Sequence, residues 1–304
     1  MKLKRLAIFV ALLSLLVSMV AGCQPQFQPG TYTDDMGREV SIDEIPQRIV
    51  SHVPPITETL FVLGLRERVV GVSDYCDYPE EAKLKPSVGN YFNPSIERIV
   101  ELEPDLVLTD GHSHNIKQLD ELEPPITYMV IDPKDIEGIF KDLELLGKVT
   151  GTEREAQKLI RDMKKDMADV LNRVKGAPRV RVLYIIDATD PSNPWTAGPG
   201  SFVDALITMA GGENVAAQAQ GAWVKFSIEA IVDSDPEIII LPAKHGTAFT
   251  SPEVLKGYSA WRGITAVKQD SIRIIDGDLV EGYGPRIIQG LEEIAKIIHP
   301  ELFE

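Results

Sequence analysis

The sequence predicts an α/β chain of two similar lobes, each built on a parallel-rich sheet, joined by one long helix. Three features carry that expectation: an internal repeat, continuous apolar runs of strand length, and one extended amphipathic segment between the two copies. The repeat is Ser95-Ile96-Glu97-Arg98-Ile99-Val100 with Pro104-Asp105-Leu106-Val107-Leu108. It returns 132 residues later as Ser227-Ile228-Glu229-Ala230-Ile231-Val232 with Pro236-Glu237-Ile238-Ile239-Ile240. Six of the fourteen aligned positions are identical and the last four are conservative, without a gap. A single repeat of this length means two similar lobes, not a solenoid.

In chain order the first element is an address label. Lys2, Lys4 and Arg5 precede an uncharged apolar run over residues 6–20, then Ala21 and Gly22 before Cys23. This is the pattern of a secretory signal over residues 1–22, and the run is shorter than the roughly 20 apolar residues that cross a bilayer. Val20-Ala21-Gly22-Cys23 resembles a bacterial lipobox, which implies a diacylglyceryl group on the Cys23 sulfur and cleavage that leaves Cys23 as the mature N-terminus. Residues 23–32 hold Gln and Pro without periodicity and read as a tether between lipid and folded body. Cys76 is the only other cysteine, so an intrachain disulfide is not available and stability must come from the core.

Residues 33–150 read as the first lobe, with apolar strands at 48–51, 69–72 and 128–131. Residues 177–304 read as the second, with strands at 180–186, 238–241 and 272–275. Such continuous runs suit a parallel sheet covered on both faces. In each repeat the Ser is a helix N-cap, the Glu sits in the first turn where the helix dipole favours an anion, and the Pro stops the helix before its strand. Between the lobes, Ala156, Leu159, Ile160, Met163, Met167, Val170, Leu171 and Val174 step by three and four, which predicts one long helix within residues 151–176. Thr152 with Glu155 spells a capping box at its start, and Gly176 and Pro178 end it.

Composition narrows the function. Apolar residues make up 44% and charged residues 25%, as in an ordinary globular chain, and the formal charge is −15. Loss of Lys2, Lys4 and Arg5 with the signal takes −15 to −18, a balance that repels nucleic acid and anionic membrane surfaces. There is no HExxH, GxSxG or phosphate-loop motif, so a metal-dependent hydrolase built on the histidines would lack a recognisable base.

Further residues carry a resemblance. Asp35-Met36-Gly37-Arg38-Glu39-Val40, the Arg48-Ile49-Val50-Ser51 strand with Pro54 and Ile56-Thr57-Glu58, and both Ser-Ile-Glu helices are similar to the ABC-importer substrate-binding proteins for cobalamin, haem or iron-siderophores, over about residues 32–302. Within that class Asp74-Tyr75-Cys76-Asp77-Tyr78-Pro79, Trp195-Thr196-Ala197-Gly198-Pro199-Gly200-Ser201, Ala210-Gly211-Gly212-Glu213-Asn214 and Trp223 resemble the cobalamin branch. The resemblance implies two Rossmann-like lobes with the ligand in the interlobe cleft, no enzymatic activity and no cofactor beyond the corrinoid it transports. It further implies a monomer, exported and lipid-anchored on the outer face of the cytoplasmic membrane or in the periplasm. Its partner would be a dimeric ABC permease with its ATPase. A haem or siderophore carrier of the same class, and a tethered ligand sensor, remain open alternatives.

A corrinoid is a large disc rimmed with methyls and amides, so its binder needs flat apolar faces and a few hydrogen-bonding groups. Tyr75, Tyr91, Phe92, Trp195 and Trp223 offer such faces in loops. The resemblance puts Tyr75, Tyr91, Trp195 and Trp223 on ligand-contacting positions, makes Phe92 a neighbour, and gives Asp278, in the loop Asp278-Leu279-Val280-Glu281-Gly282-Tyr283-Gly284-Pro285-Arg286, the role of acceptor for a corrin amide. Trp261 reads as core. His112 and His114 follow the strand ending at Thr109, and the repeat carries Ser113 onto His245, so His112 and His245 are candidate ligands to a corrinoid or haem metal. The cobalamin pattern has an aromatic near position 110, where this chain has Asp110. A siderophore cleft would need cations, and the candidate loops hold Lys225, Lys244 and few others. The resemblance also implies that Glu97 and Glu229 dock onto arginines of the permease, one lobe to each subunit.

Overall fold

The structure, a computed structural model, describes residues 27–304 apart from 245, 246 and 249; the signal, Cys23 and His245 therefore lie outside the described residues. The chain enters through a hairpin, β1 (Gly30–Thr33) against β2 (Glu39–Ile42). The first sheet follows: β3 (Ile49–Ser51), α1 (Pro54–Val62), β4 (Val69–Val72), α2 (Ile96–Glu101), β5 (Leu106–Thr109) and β6 (Tyr128–Val130). Its strands lie in the order β4-β3-β5-β6, all parallel. β3, β5 and β6 are fully buried, as a sheet with both faces covered demands.

Two helices then pack against each other, α3 (Ile136–Thr150) and α4 (Glu153–Val174). Gly151 makes the turn between them in the left-handed region, φ 70°, where a Cβ would also press on Ile45. The hairpin serves both lobes. Leu146 and Ala156 join the core under the first sheet, whereas Phe140, Met163, Val170 and Val174 join the core under the second. The expected capping box at Thr152 does not form: the residue is 9% exposed and its side chain makes no cap hydrogen bond. Its hydroxyl lies 2.8 Å from that of Thr150, which itself donates to the Leu146 carbonyl, so burial redirects the would-be cap. Gly176, φ 82°, ends α4.

The second sheet is built from β7 (Val180–Asp187), β8 (Trp195–Ala197), α5 (Phe202–Met209), β9 (Gly212–Asn214), β10 (Trp223–Lys225), α6 (Ile228–Ser234), β11 (Ile238–Lys244), β12 (Thr247–Ala248), α7 (Pro252–Gly257), α8 (Thr265–Lys268) and β13 (Ile272–Asp276). Its parallel part runs β9-β7-β11-β13, the same order as β4-β3-β5-β6 with β5 matched to β11, so the repeat read from residues 95–108 is a repeat of topology. β8 and β10 add an antiparallel ribbon on one side. Both repeat helices are capped as the sequence dictates: the Ser95 hydroxyl accepts from the Arg98 amide and that of Ser227 from the Ala230 amide, each at 3.3 Å. Trp261 is fully buried and donates to the Pro191 carbonyl at 2.9 Å. The last helix, α9 (Ile287–Ile298), packs on α4 and α5 and brings the preceding loop, residues 277–286, against the first lobe.

Candidate functional site

A cleft of about 350 Å³ separates the lobes. One wall comes from the first lobe: Val53, Pro54 and Pro55 at the start of α1, and Tyr75, Tyr91 and Phe92 from the loops that follow β4. The other comes from residues 277–286, with Asp278, Glu281, Tyr283 and Arg286, and Asp77 and Glu58 stand beside it. Past Asp77, Asp278 and Arg286 lies a wider basin of about 450 Å³ that adds Tyr78, Lys83, Ile274 and Asp276.

The aromatic wall is held from behind. Tyr91 packs edge-on to Phe92 at 4.8 Å and to Tyr75 at 6.4 Å between ring centroids, and its hydroxyl donates to Asp110. Burial, then that hydrogen bond and carboxylate charge, push the Tyr91 phenol far above its ordinary range and keep it protonated. Fully buried His52 stacks on the far side of Tyr91. Its Nε2 sits 3.1 Å from the Asn90 carbonyl, which can only accept, so Nε2 carries the proton and Nδ1 accepts from the Thr109 hydroxyl at 3.1 Å. Burial lowers the His52 pKa, consistent with a neutral ring. Asp110 is thus the anchor of a cleft-lining tyrosine rather than a surface substitute for an aromatic.

At the cleft floor an ion pair ties the lobes together. Arg286 donates from Nε to one Glu58 oxygen at 3.0 Å and from a terminal nitrogen to the other at 2.5 Å, while its guanidinium lies 3.7 Å over the Tyr78 ring. The Glu58 and Arg286 side chains are 9% and 16% exposed. Burial raises the Glu58 pKa, and the Arg286 hydrogen bond and charge only partly oppose it. Tyr283 adds a second cross-lobe link, donating to the Ile131 carbonyl at 3.2 Å, and the Glu281 carboxylate accepts from Tyr184 at 2.8 Å.

Of the residues singled out in the sequence, Tyr75, Tyr91 and Asp278 line the cleft together. Phe92, read there only as a neighbour, lines it too. Trp195 and Trp223 stand 40% and 39% exposed on the β8–β10 ribbon, where the register sets both on one face, and neither is among the lining residues. Lys225 lies 5.8 Å over the Trp195 ring. His112 is exposed at the mouth of β5, its amide donating to Asp110, and among the described residues no cluster of His, Cys, Asp and Glu is arranged to hold a metal. Glu97 and Glu229 are exposed on α2 and α6. Sequence reasoning missed His52 and the Glu58–Arg286 pair. The pair spans 228 positions and leaves no local signal, whereas an apolar strand ending in Ser-His does mark His52 as a residue turned inward.

A family model described as "Periplasmic binding protein" matches residues 49–279. An uncharacterised ABC transporter substrate-binding lipoprotein of Bacillus subtilis strain 168 is 32% identical over 99% of each chain. A cobalamin-binding protein of Halobacterium salinarum is 26% identical, covering 89% of this chain and 74% of its own. Among solved structures, the apo form of a periplasmic heme-binding protein from Roseiflexus sp. RS-1 superposes with a TM-score of 0.73 at 25% identity, covering 84% of this chain and 99% of that one.

Proposed function

The chain belongs to the periplasmic binding protein family, and from that premise we propose that its cleft captures a corrinoid, cobalamin or a near relative, and delivers it to a dimeric ABC permease with its ATPase. In this reading residues 33–150 and 177–304 are the two ligand-gripping lobes, residues 151–176 connect them, and the lipid on Cys23 keeps the exported monomer at the membrane. Tyr75, Tyr91, Trp195 and Trp223 offer ring faces to the corrin, and Asp278 accepts from one of its amides.

One observation carries the choice of ligand: an aromatic wall faces an acidic one. Asp77, Asp278 and Glu281 line the cleft opposite Tyr75, Tyr91 and Phe92, and the Arg286 guanidinium beside them is engaged by Glu58. A corrin rim rich in amide N–H donors suits carboxylate acceptors. Haem, the alternative favoured by the Roseiflexus likeness, carries two propionates, which basic side chains rather than carboxylates would hold. Ferric chelates that carry net negative charge meet the same objection.

Calorimetric titration of the purified protein with cyanocobalamin, cobinamide and haem tests the proposal. Both corrinoids should bind at least about 100-fold more tightly than haem. Haem binding as tight as cobalamin would overturn it.

A further inference from the structure

Six residues are identical between the two copies of the repeat, and the fold accounts for four of them. Ser95 and Ser227 cap their helices. Ile96 and Ile228 pack on the edges of the two cores, and Ile99 and Ile231 are wholly buried within them. Pro104 and Pro236 end the helical stretch ahead of β5 and β11. Of the other two pairs, the glutamates suit the first turn through the helix dipole, and the valines have no task within the fold. Glu97 and Glu229 are exposed, and so are Val100 at 42% and Val232 at 45%. A valine three residues after a glutamate lies beside it on one helix face, so each lobe shows solvent the same acid-and-valine footprint. An acid follows in both copies, exposed Glu101 and exposed Asp233. Positions between have drifted, Arg98 to Ala230 and Leu102 to Ser234, so inertia alone does not explain what was kept.

We infer that Val100 and Val232 are paired apolar contacts of the surface that meets the permease, each seated in an apolar spot beside a basic side chain on one of two identical subunits. The inference rests on the docking role of Glu97 and Glu229 and deepens it. Two like footprints on one chain fit a partner that offers the same site twice, which a two-fold symmetric dimer does. The chain's acidity selects a basic partner surface, and the valines supply the desolvated contact that a purely ionic meeting lacks.

The test uses the mature protein with its own permease–ATPase in proteoliposomes, reading the ATPase rate against added protein. Val100→Ser and Val232→Ser should each raise the half-stimulating concentration about tenfold, and the double variant by the product of the two. That loss should persist at high salt, whereas the loss in Glu97→Gln, Glu229→Gln protein should shrink the difference from parent as salt screens the ion pairs. The isosteric Val100→Thr, Val232→Thr variant, which keeps the helix surface in shape, should move the same way. Cyanocobalamin affinity and melting temperature should stay at parental values throughout. Parental stimulation by both valine doubles alongside impaired glutamate variants would overturn this inference and leave the docking reading standing. Parental stimulation by valine and glutamate variants alike would overturn both.

Discussion

Arg286→Met strips the cation from the Glu58–Arg286 pair and leaves a carboxyl group 9% exposed beneath the cleft. Two charge-assisted hydrogen bonds, at 3.0 and 2.5 Å, and a guanidinium packed 3.7 Å over Tyr78 go with it. Removing one partner of a buried pair costs about 3–5 kcal/mol, because the other charge stays buried without compensation. The loss should depend on pH in a defined direction. Burial already holds the folded Glu58 pKa above its unfolded value, and without Arg286 it rises further. A raised acid contributes stability that is fully present below the unfolded pKa of 4.5 and is lost as pH rises through the folded value. The variant should therefore lie closest to the parent near pH 4.5 and furthest from it above pH 7. Glu58→Leu combined with Arg286→Met removes both charges and should recover most of the loss, as apolar replacement of whole buried pairs often does. Urea denaturation followed by far-ultraviolet circular dichroism at pH 4.5 and 7.5 measures all three proteins. An Arg286→Met variant within about 0.5 kcal/mol of the parent at pH 7.5, or a double variant as unstable as the single one, would refute the reasoning.

Further outcomes follow from other sites. Burial, and then the charges of Asp35 and Asp132, push the Asp142 carboxyl up to about 8, so its penalty is absent below the ordinary aspartate value of 3.8 and grows as pH rises towards 8. Asp142→Asn should raise stability by on the order of 4 kcal/mol at pH 7.5 and by almost nothing at pH 3.5, and an equal gain at both pH values would argue against this origin. Tyr91→Ala should weaken cyanocobalamin binding by about 2 kcal/mol, near 30-fold by calorimetry, and Trp223→Ala by a similar amount if the ribbon tryptophans grip the ligand as proposed. Mass spectrometry of the membrane fraction should find a mature chain that starts at a diacylglyceryl-modified Cys23, and an intact Met1 would refute that processing.

Much of the scaffold was legible because it is set by local rules. Runs such as Ile238-Ile239-Ile240 have no polar face to offer solvent, so a doubly covered sheet is their main outlet, and Ser95 and Ser227 cap helices by short-range geometry. The cleft lining was legible where a loop aromatic announces itself, as at Tyr75 and Tyr91, and at Asp278 only through the resemblance. What joins the lobes was not: Glu58 and Arg286 are two ordinary charges until the fold brings residues 228 positions apart into contact. The three-residue strands β8 and β10 are too short for period-two alternation to stand out, so Trp195 and Trp223 read as loop residues when they share a ribbon. Thr152 shows the converse, a correct local motif whose hydroxyl is taken by a buried neighbour.

The chain's three tryptophans, Trp195, Trp223 and Trp261, all belong to the second lobe, and the first has none. Light emission excited at the red edge of the tryptophan band therefore views one half of the molecule. Trp261, sealed in and bonded to the Pro191 carbonyl, should emit at short wavelength, while the two ribbon indoles, each about 40% open to water, should emit further to the red. A coloured guest that settles on the ribbon would dim the red component first and leave the blue one nearly whole. Collapse of the first lobe alone would go almost unseen by this probe, so a discrepancy between emission and circular dichroism would be a direct optical sign that the halves come apart separately.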